Sequence, residues 1–302
     1  MGNKKLRMAL FGNIYQAKKS ASIQKILSSL GERGAELYVD MEYYYFLKDS
    51  QHLDVRATQV FVGDEFDADF AISMGGDGTF LKTAARVGSK GIPILGINMG
   101  RLGFLADISP LEIDACMASL MEGDYSVESR RMIQVATLPA PGVPSASGGS
   151  LDGACALNDV AILKRDSASM ISIRASIDGQ YLTTYQADGL IVSTPTGSTA
   201  YSLSNGGPII VPGTHVLLLT AVASHSLNTR PIVIPETAEI TLDVESRSHS
   251  FLVAVDGRSE KCREETRLLL RRAPYDVNIV KRSGTRYFDI LREKMMWGAD
   301  LR

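Results

Sequence analysis

Five consecutive residues, Gly75-Gly76-Asp77-Gly78-Thr79, place one carboxylate among three glycines, immediately after the apolar run 70–74. Glycine is costly in conformational entropy, so such a cluster needs a backbone reason. A strand that ends in glycines and opens a helix aims main-chain N–H groups and the positive end of the helix at one point, which suits phosphate. Phe80, Leu81, Ala84, Ala85 and Val87 share one helical face, so the sequence predicts a helix over 79–88. A carboxylate beside a polyanion is repulsive unless a divalent cation bridges them or the acid takes a proton from a hydroxyl. No structural duty for Asp77 is evident; the plain alternative is a tight turn with Asp77 capping the helix. The chain has no G-x-x-x-x-G-K-[ST], and "FGNIYQ" stands where G-x-G-x-x-G would follow a first strand. H-E-x-x-H and G-x-S-x-G are missing too, so the loop is neither a Walker type nor a dinucleotide fingerprint.

A second dense stretch is "ADGLIVSTPTGSTAYSLSNGGPIIVPG", 187–213. Its hydroxyl side chains between Ser193 and Ser202 suggest a shallow polar floor for sugar hydroxyls and amides, with the Tyr201 ring offered to a base. A solvated loop rich in serine and threonine is the plainer alternative. Asn158-Asp159 interrupt the apolar strand "CALNDVAIL", where two polar residues are expensive unless something pairs with them. They read as ribose-hydroxyl ligands or, alternatively, as a bulge or strand cap. Asp188, opening "ADGLIVS", is a similar candidate whose alternative is a turn. His52, His215, His225 and His249 show no metal spacing, and no nucleophile–histidine–acid set can be assembled; His225 in "SHSLNTRP" reads as a structural histidine.

Two kinds of periodicity must position these residues. In the first half, buried strands ("LRMALFG", "AELYVD", "FAISM", "IPILGIN") alternate with helical stretches, which implies a mostly parallel, Rossmann-like sheet covered by helices. Ser109 with Glu112 makes a capping box, Pro110 takes the first helical position, and Gly123 stops that helix. From about residue 125 the period becomes two. In "MISIRASID" Ile171, Ile173, Ala175 and Ile177 share a face, and in "AEITLDVE" so do Ile240, Leu242 and Val244. With "VLLLTAVA", "FLVAVDG", "TRLLLRR" and "VNIVKR", this half reads as a β-sandwich. The fold class expected is therefore α/β plus all-β. The expected division is an α/β domain over 1–130 and a β-sandwich over 131–275. Residues 276–302, helical again in "FDILREKMMWG", pack back on the first domain. "PAPGVPSASGGS", 139–150, reads as a loop within the second.

Composition narrows the partners. The 302 residues are 45% apolar and 22% charged with a net charge of −2, which gives no basic field for nucleic acid and no polybasic membrane signal. No stretch approaches the ~18 apolar residues of a membrane span, and the apolar piece near the N-terminus is too short for a signal peptide. Cys116, Cys155 and Cys262 lie far apart without metal spacing, which predicts reduced thiols and a cytoplasmic protein.

Taken together, these stretches resemble the NAD kinase family. The likeness runs in order through "GGDGT" (75–79), "INMGRLGFLAD" (97–107), "LNDVAI" (157–162), "DGLIVSTPTGSTAYSLSNGGPII" (188–210), "HSLNTRPIVI" (225–234) and "VDG" (255–257). "GGDGT" alone is shared with diacylglycerol and sphingosine kinases; "STPTGSTAY" is the more specific half.

The resemblance implies an active site in a cleft between the two domains and transfer of the terminal ATP phosphoryl, with Mg²⁺, to the 2′-hydroxyl of the adenosine ribose of NAD. It makes Asp77 the catalytic aspartate that activates this hydroxyl and assigns the ATP phosphates to Gly75, Gly76, Gly78 and Thr79. It lines the NAD site with Asp77, Gly78, Phe104, Asn158, Asp159, Asp188, Thr196, Thr199, Ala200, Tyr201 and Ser204. Mg²⁺ is held by the substrate phosphates near Asp77, and no protein ligand is assigned to it. The partners are NAD and ATP, without nucleic acid or membrane, in a homodimer or homotetramer. A lipid kinase and a non-catalytic NAD-binding module are the alternatives. Three departures from the family pattern stand out: Asp159 where glutamate is usual, Leu105 where some relatives carry tyrosine, and "VASHS" in place of "CPHS". The 139–153 loop resembles an insertion.

Overall fold

The computed structural model describes residues 5–15, 19–100, 102–139, 151–166, 169–282 and 287–296. Most of the predicted 139–150 loop lies outside these. The chain divides into two compact units, one holding the described residues up to Ser129 together with those from Val277 onward, the other Arg130–Asp276.

The first unit alternates as its apolar runs dictate. In chain order it contains β1 (Arg7–Gly12), α1 (Ser20–Glu32), β2 (Glu36–Asp40), α2 (Met41–Tyr45), β3 (Gln59–Phe61), β4 (Phe70–Gly75), α3 (Asp77–Val87), β5 (Ile94–Asn98), α4 (Ile113–Glu122) and β6 (Tyr125–Arg130). β4 and β5 are buried along their whole length, as central strands covered on both faces must be. The predicted capping box forms, Ser109 and Glu112 each accepting a main-chain N–H, with Gly123 left-handed at φ 76° beyond α4.

The second unit is built of β7 (Ile133–Pro139), β8 (Cys155–Ala156), β9 (Asp159–Lys164), β10 (Ile171–Ile177), β11 (Gln180–Ala187), β12 (Gly189–Ser193), the single helical turn α5 (Tyr201–Ser204), β13 (Val216–Val222), β14 (Ile232–Pro235), β15 (Ile240–Glu245), β16 (Ser250–Val255), β17 (Arg258–Arg263) and β18 (Thr266–Arg272). The strands form two sheets, ordered β11-β10-β15-β18-β7-β8 and β14-β13-β12-β9-β16-β17. One apolar core joins them. Ile171, Ile173, Ile240, Leu242, Leu268 and Leu270 come from the first sheet, and Val160, Ile162, Leu190, Val192, Phe251 and Val253 from the second. The period-two reading of 171–175 and 240–244 is what fills this core.

The chain then returns to the first unit as β19 (Val277–Arg282) and α6 (Tyr287–Met295). The completed sheet runs β3-β2-β1-β4-β5-β19-β6, and β19 pairs in parallel with β5 through Ile279 and Ile94. Periodicity groups "VNIVKR" with the β-rich half, which the pairing corrects; the expected division, with 276–302 on the first domain, has it on the side where it pairs with β5. Its alternation is that of a strand, but its partners belong to the parallel sheet. Lys281 of β19 holds the buried Asp107 at 2.5 Å, tying the segment after β5 to the sheet. Strand order reverses between β1 and β4, so the carboxyl ends of these two neighbours flank a topological switch point, where open α/β sheets take their ligands.

Candidate active site

The glycine–aspartate loop sits at that switch point. Gly75 ends β4, Gly76 is the N-cap of α3 with extended geometry (φ −114°, ψ −168°), and Asp77 is the first helical residue. The helix thus begins two residues earlier than its apolar face predicts. Gly12 at the end of β1, Asn13 and Tyr15 just after it, and Gly76, Gly78 and Lys82 lie on a cavity of about 430 Å³. Lys82 follows Gly78 by four residues and so shares its helical face, a cationic partner that the sequence reading overlooked. A larger cavity, about 750 Å³, adjoins the 98–112 segment and α6. Asp107, Glu112, Asp289 and Glu293 line it with Lys19, an acidic lining poorly suited to phosphate.

The glycines differ in what requires them. A Cβ on Gly75 would fall 2.2 Å from Thr79 Oγ1, so this buried glycine is needed by the fold, which sets it apart from a phosphate contact. A Cβ on Gly76 or Gly78 would meet nothing within 4 Å. Glycine inside a helix costs about 1 kcal/mol against alanine, and Gly78 offsets that with no packing gain in the protein itself.

Asp77 does have a structural duty, contrary to the sequence reading, and it is not a helix cap. Its Oδ2 accepts the main-chain N–H of Phe104 at 2.9 Å, and its Oδ1 accepts those of Leu105 and Ala106 at 3.0 and 3.1 Å. Lys294 Nζ of α6 donates to Oδ2 at 3.2 Å and lies 4.3 Å from the centroid of the Phe104 ring. Burial by itself would raise the Asp77 carboxyl. The Ala106 amide, the Lys294 charge and the amides of Phe104 and Leu105 outweigh it and hold the acid below its ordinary value. Leu105, the departure from the family's tyrosine, is turned into the core at 2% exposure.

The candidates of the second unit fall into two groups. Asn158 and Asp159 lead into β9 beside the end of β12 and the turn that follows it. Thr194 N–H donates to the Asn158 carbonyl at 2.9 Å, and a Cβ on Gly197 would stand 2.1 Å from that oxygen. Asp256, in the left-handed region at φ 47°, accepts the N–H groups of Leu157, Asn158 and Asp159. Burial, and then the charge of Asp256, push the Asp159 carboxyl up to about 7. Asp256 is itself raised by burial, against the pull of the three amides and Arg258. Thr196 accepts from Arg130, and Thr199 donates to the Thr196 carbonyl; Ala200 is half-buried, while Tyr201 and Ser204 are exposed. Asp188 is not brought to them. It precedes β12 at the opposite end, about 16 Å away at the usual strand rise, and pairs with Lys164 at 2.7 Å.

The hydroxyl floor needs correcting. Ser193, Thr194, Ser198 and Ser202 are wholly buried and bonded inward. Thr194 donates to the Leu157 carbonyl, Ser198 to that of Pro195, and Ser202 pairs with Thr220. Composition alone could not show which way each hydroxyl turns. The exposed ones nearby are Tyr201 and Ser204, while half-buried Thr199 bonds back to the Thr196 carbonyl.

A parallel sheet with a glycine-rich strand–helix junction at its switch point, joined in one chain to an antiparallel β-sandwich, defines an α/β plus all-β nucleotide-handling protein. The family model described as ATP-NAD kinase N-terminal domain matches residues 12–125, and the ATP-NAD kinase C-terminal domain matches 157–282. An NAD kinase of Bacteroides fragilis is 56% identical over 297 residues, covering 98% of this chain and 100% of the relative. One of Porphyromonas gingivalis is 41% identical over 298 residues, covering 98% and 99%. The chain belongs to the NAD kinase family. Its fold is shared with yeast NADH kinase, solved as a complex with NADH (TM-score 0.87, 20% identity, 100% of this chain and 90% of that one). It is shared also with an NAD kinase from Archaeoglobus fulgidus, solved in complex with ATP (TM-score 0.70, 24% identity, 96% and 99%).

Proposed function

We propose that this enzyme moves the terminal phosphoryl group of ATP to the 2′-hydroxyl of the adenosine ribose of NAD, releasing ADP and NADP. The observation that carries the mechanism is Asp77, an acid held ionised beside a glycine-rich helix N-terminus whose open glycines the fold does not need. The main-chain amides at Gly76 and Gly78, with the Lys82 ammonium, bind the ATP phosphates beside Thr79, whose own N–H is given to the Gly76 carbonyl. The bond from Pγ to the β–γ bridging oxygen breaks, its electron pair leaving on ADP. The ribose 2′-oxygen forms the new bond to Pγ, and its proton passes to Asp77. A base below its ordinary pKa suffices, because in a loose phosphoryl-transfer transition state the hydroxyl gives up its proton late.

Asn158, Asp159, Thr196, Thr199, Ala200, Tyr201 and Ser204 form the dinucleotide side of the proposal. The exposed side chains of Tyr201 and Ser204 support it; the resemblance adds Asp188, which lies apart from this group at the far end of β12 and pairs with Lys164. The main-chain donors at the glycine loop suit phosphate oxygens, and a divalent cation would be carried in on those oxygens near Asp77. Mg²⁺ there would neutralise phosphate charge. Among the described residues no helix is long and apolar enough to cross a membrane. Cytoplasmic location, favoured by three buried thiols, and a homodimer or homotetramer complete the proposal, the latter to be read by light scattering.

A coupled assay tests the activity: purified protein, ATP, Mg²⁺ and NAD, with NADP read by an NADP-specific dehydrogenase. Asp77→Asn is expected to lower kcat by about 10²–10⁴, the contribution of a positioned base, while NAD still binds. Turnover near wild type would remove Asp77 from the chemistry.

A further inference from the structure

Asp77 is saturated. A carboxylate offers roughly four lone-pair sites, and here four donors fill them: Leu105 and Ala106 on Oδ1, Phe104 and Lys294 on Oδ2. In this arrangement the acid has no lone pair to accept a proton from a ribose hydroxyl, so a donor must leave before the reaction. Three of the four are main-chain amides of a segment fixed in place. Leu105 and Ala106 are buried at 2% and 0%, Gly103 N–H bonds to the Ala106 carbonyl, and Asp107 is gripped by Lys281. The fourth, Lys294, stands on a flexible four-carbon stem, makes the longest of the four bonds, and keeps 29% of its side chain exposed.

An ammonium leaves a carboxylate readily only for a stronger anion. A phosphoryl group arriving at the Gly76–Gly78 amides, beside Asp77, is one. We propose that Lys294 is a catalytic residue that changes partners: in the free enzyme it covers Oδ2 of Asp77, and with nucleotide bound it moves to the transferring phosphoryl group. The exchange frees the lone pair that takes the 2′-hydroxyl proton. It also brings a positive charge to the phosphoryl oxygens. Nothing is oxidised or reduced, and Lys294 stays protonated throughout. The inference rests on Asp77 being the proton acceptor.

The test is initial-rate kinetics of the full chain with MgATP and NAD. Lys294→Met is expected to lower kcat on the order of 10²-fold, as removal of one preorganised donor does, with KM for NAD little changed. Lys294→Arg should recover a large part of the loss. Lys294→Gln, which keeps a donor for Asp77 but no charge, should melt like wild type and remain slow. The Asp77→Asn/Lys294→Met pair should be no slower than the slower single variant, because both act in one step. A folded Lys294→Gln or Lys294→Met enzyme with wild-type kcat, beside a crippled Asp77→Asn, overturns the exchange and leaves the base standing. Wild-type turnover in Asp77→Asn removes the base itself. Loss of melting temperature and rate together in both neutral variants, without recovery by arginine, makes Lys294 an anchor of α6 and overturns the proposal.

Discussion

Gly103 governs where the reactive acid can be. A Cβ at this position would lie 2.0 Å from Asp77 Oδ1 and 2.7 Å from its Cγ, so any larger residue drives the carboxylate off the three amides. Gly103→Ala is expected to lower kcat on the order of 10²-fold, since a 1 Å misplacement near the chemistry suffices for that. The melting temperature should move by no more than a few degrees, which thermal melts beside the coupled assay will check. Asp77 was legible in the sequence because a carboxylate among glycines has few uses. What holds it was not. Three of its donors are main-chain groups some thirty residues on, with no side-chain signature, and the fourth is 217 residues away.

At the scale of elements, the meeting of β9 with β16 gathers two carboxylates. Val160 pairs with Val255, so the flanking residues Asp159 and Asp256 stand side by side. Asp256 has the amides of residues 157–159 to hold its charge, so Asp159 is the member that takes up a proton, near pH 7. A folded pKa raised above the unfolded one makes a contribution to stability that is fully present below about pH 4 and is lost as pH rises through about 7. Asp159→Asn should therefore raise stability at pH 8 by up to about a few kcal/mol, seen as a higher melting temperature, and change it little at pH 4.5. Parallel melts of both proteins at the two pH values measure this. The pairing was invisible in sequence, where "VDG" carries only a turn signal. The strands themselves were plain, because one buried face forces a period of two. The Ser193–Ser202 hydroxyls misled for a related reason: their number is written in the chain, but the packing of 194–198 against the Asn158 carbonyl decides their direction.

For the whole molecule, the decisive feature is the insertion of β19 between β5 and β6. The first unit is discontinuous, and its last-made strand lies within its sheet rather than at the edge. Ending the chain at residue 276 removes that strand together with Lys281 and α6, leaving β5 with one bare edge. Such a protein is expected to aggregate or to lose the parallel-sheet contribution in circular dichroism. A well-folded, NAD-phosphorylating product would contradict this account of the sheet. Local pattern showed that 277–282 is a strand; only tertiary pairing could show whose it is.

The same insertion has a temporal side. On the ribosome the sandwich, lying wholly within 130–276, has emerged with every strand it needs while the sheet that carries Asp77 still lacks one. The sandwich can therefore close before the sheet can, and the surface that carries Asp77 waits on 277–282 for its missing strand.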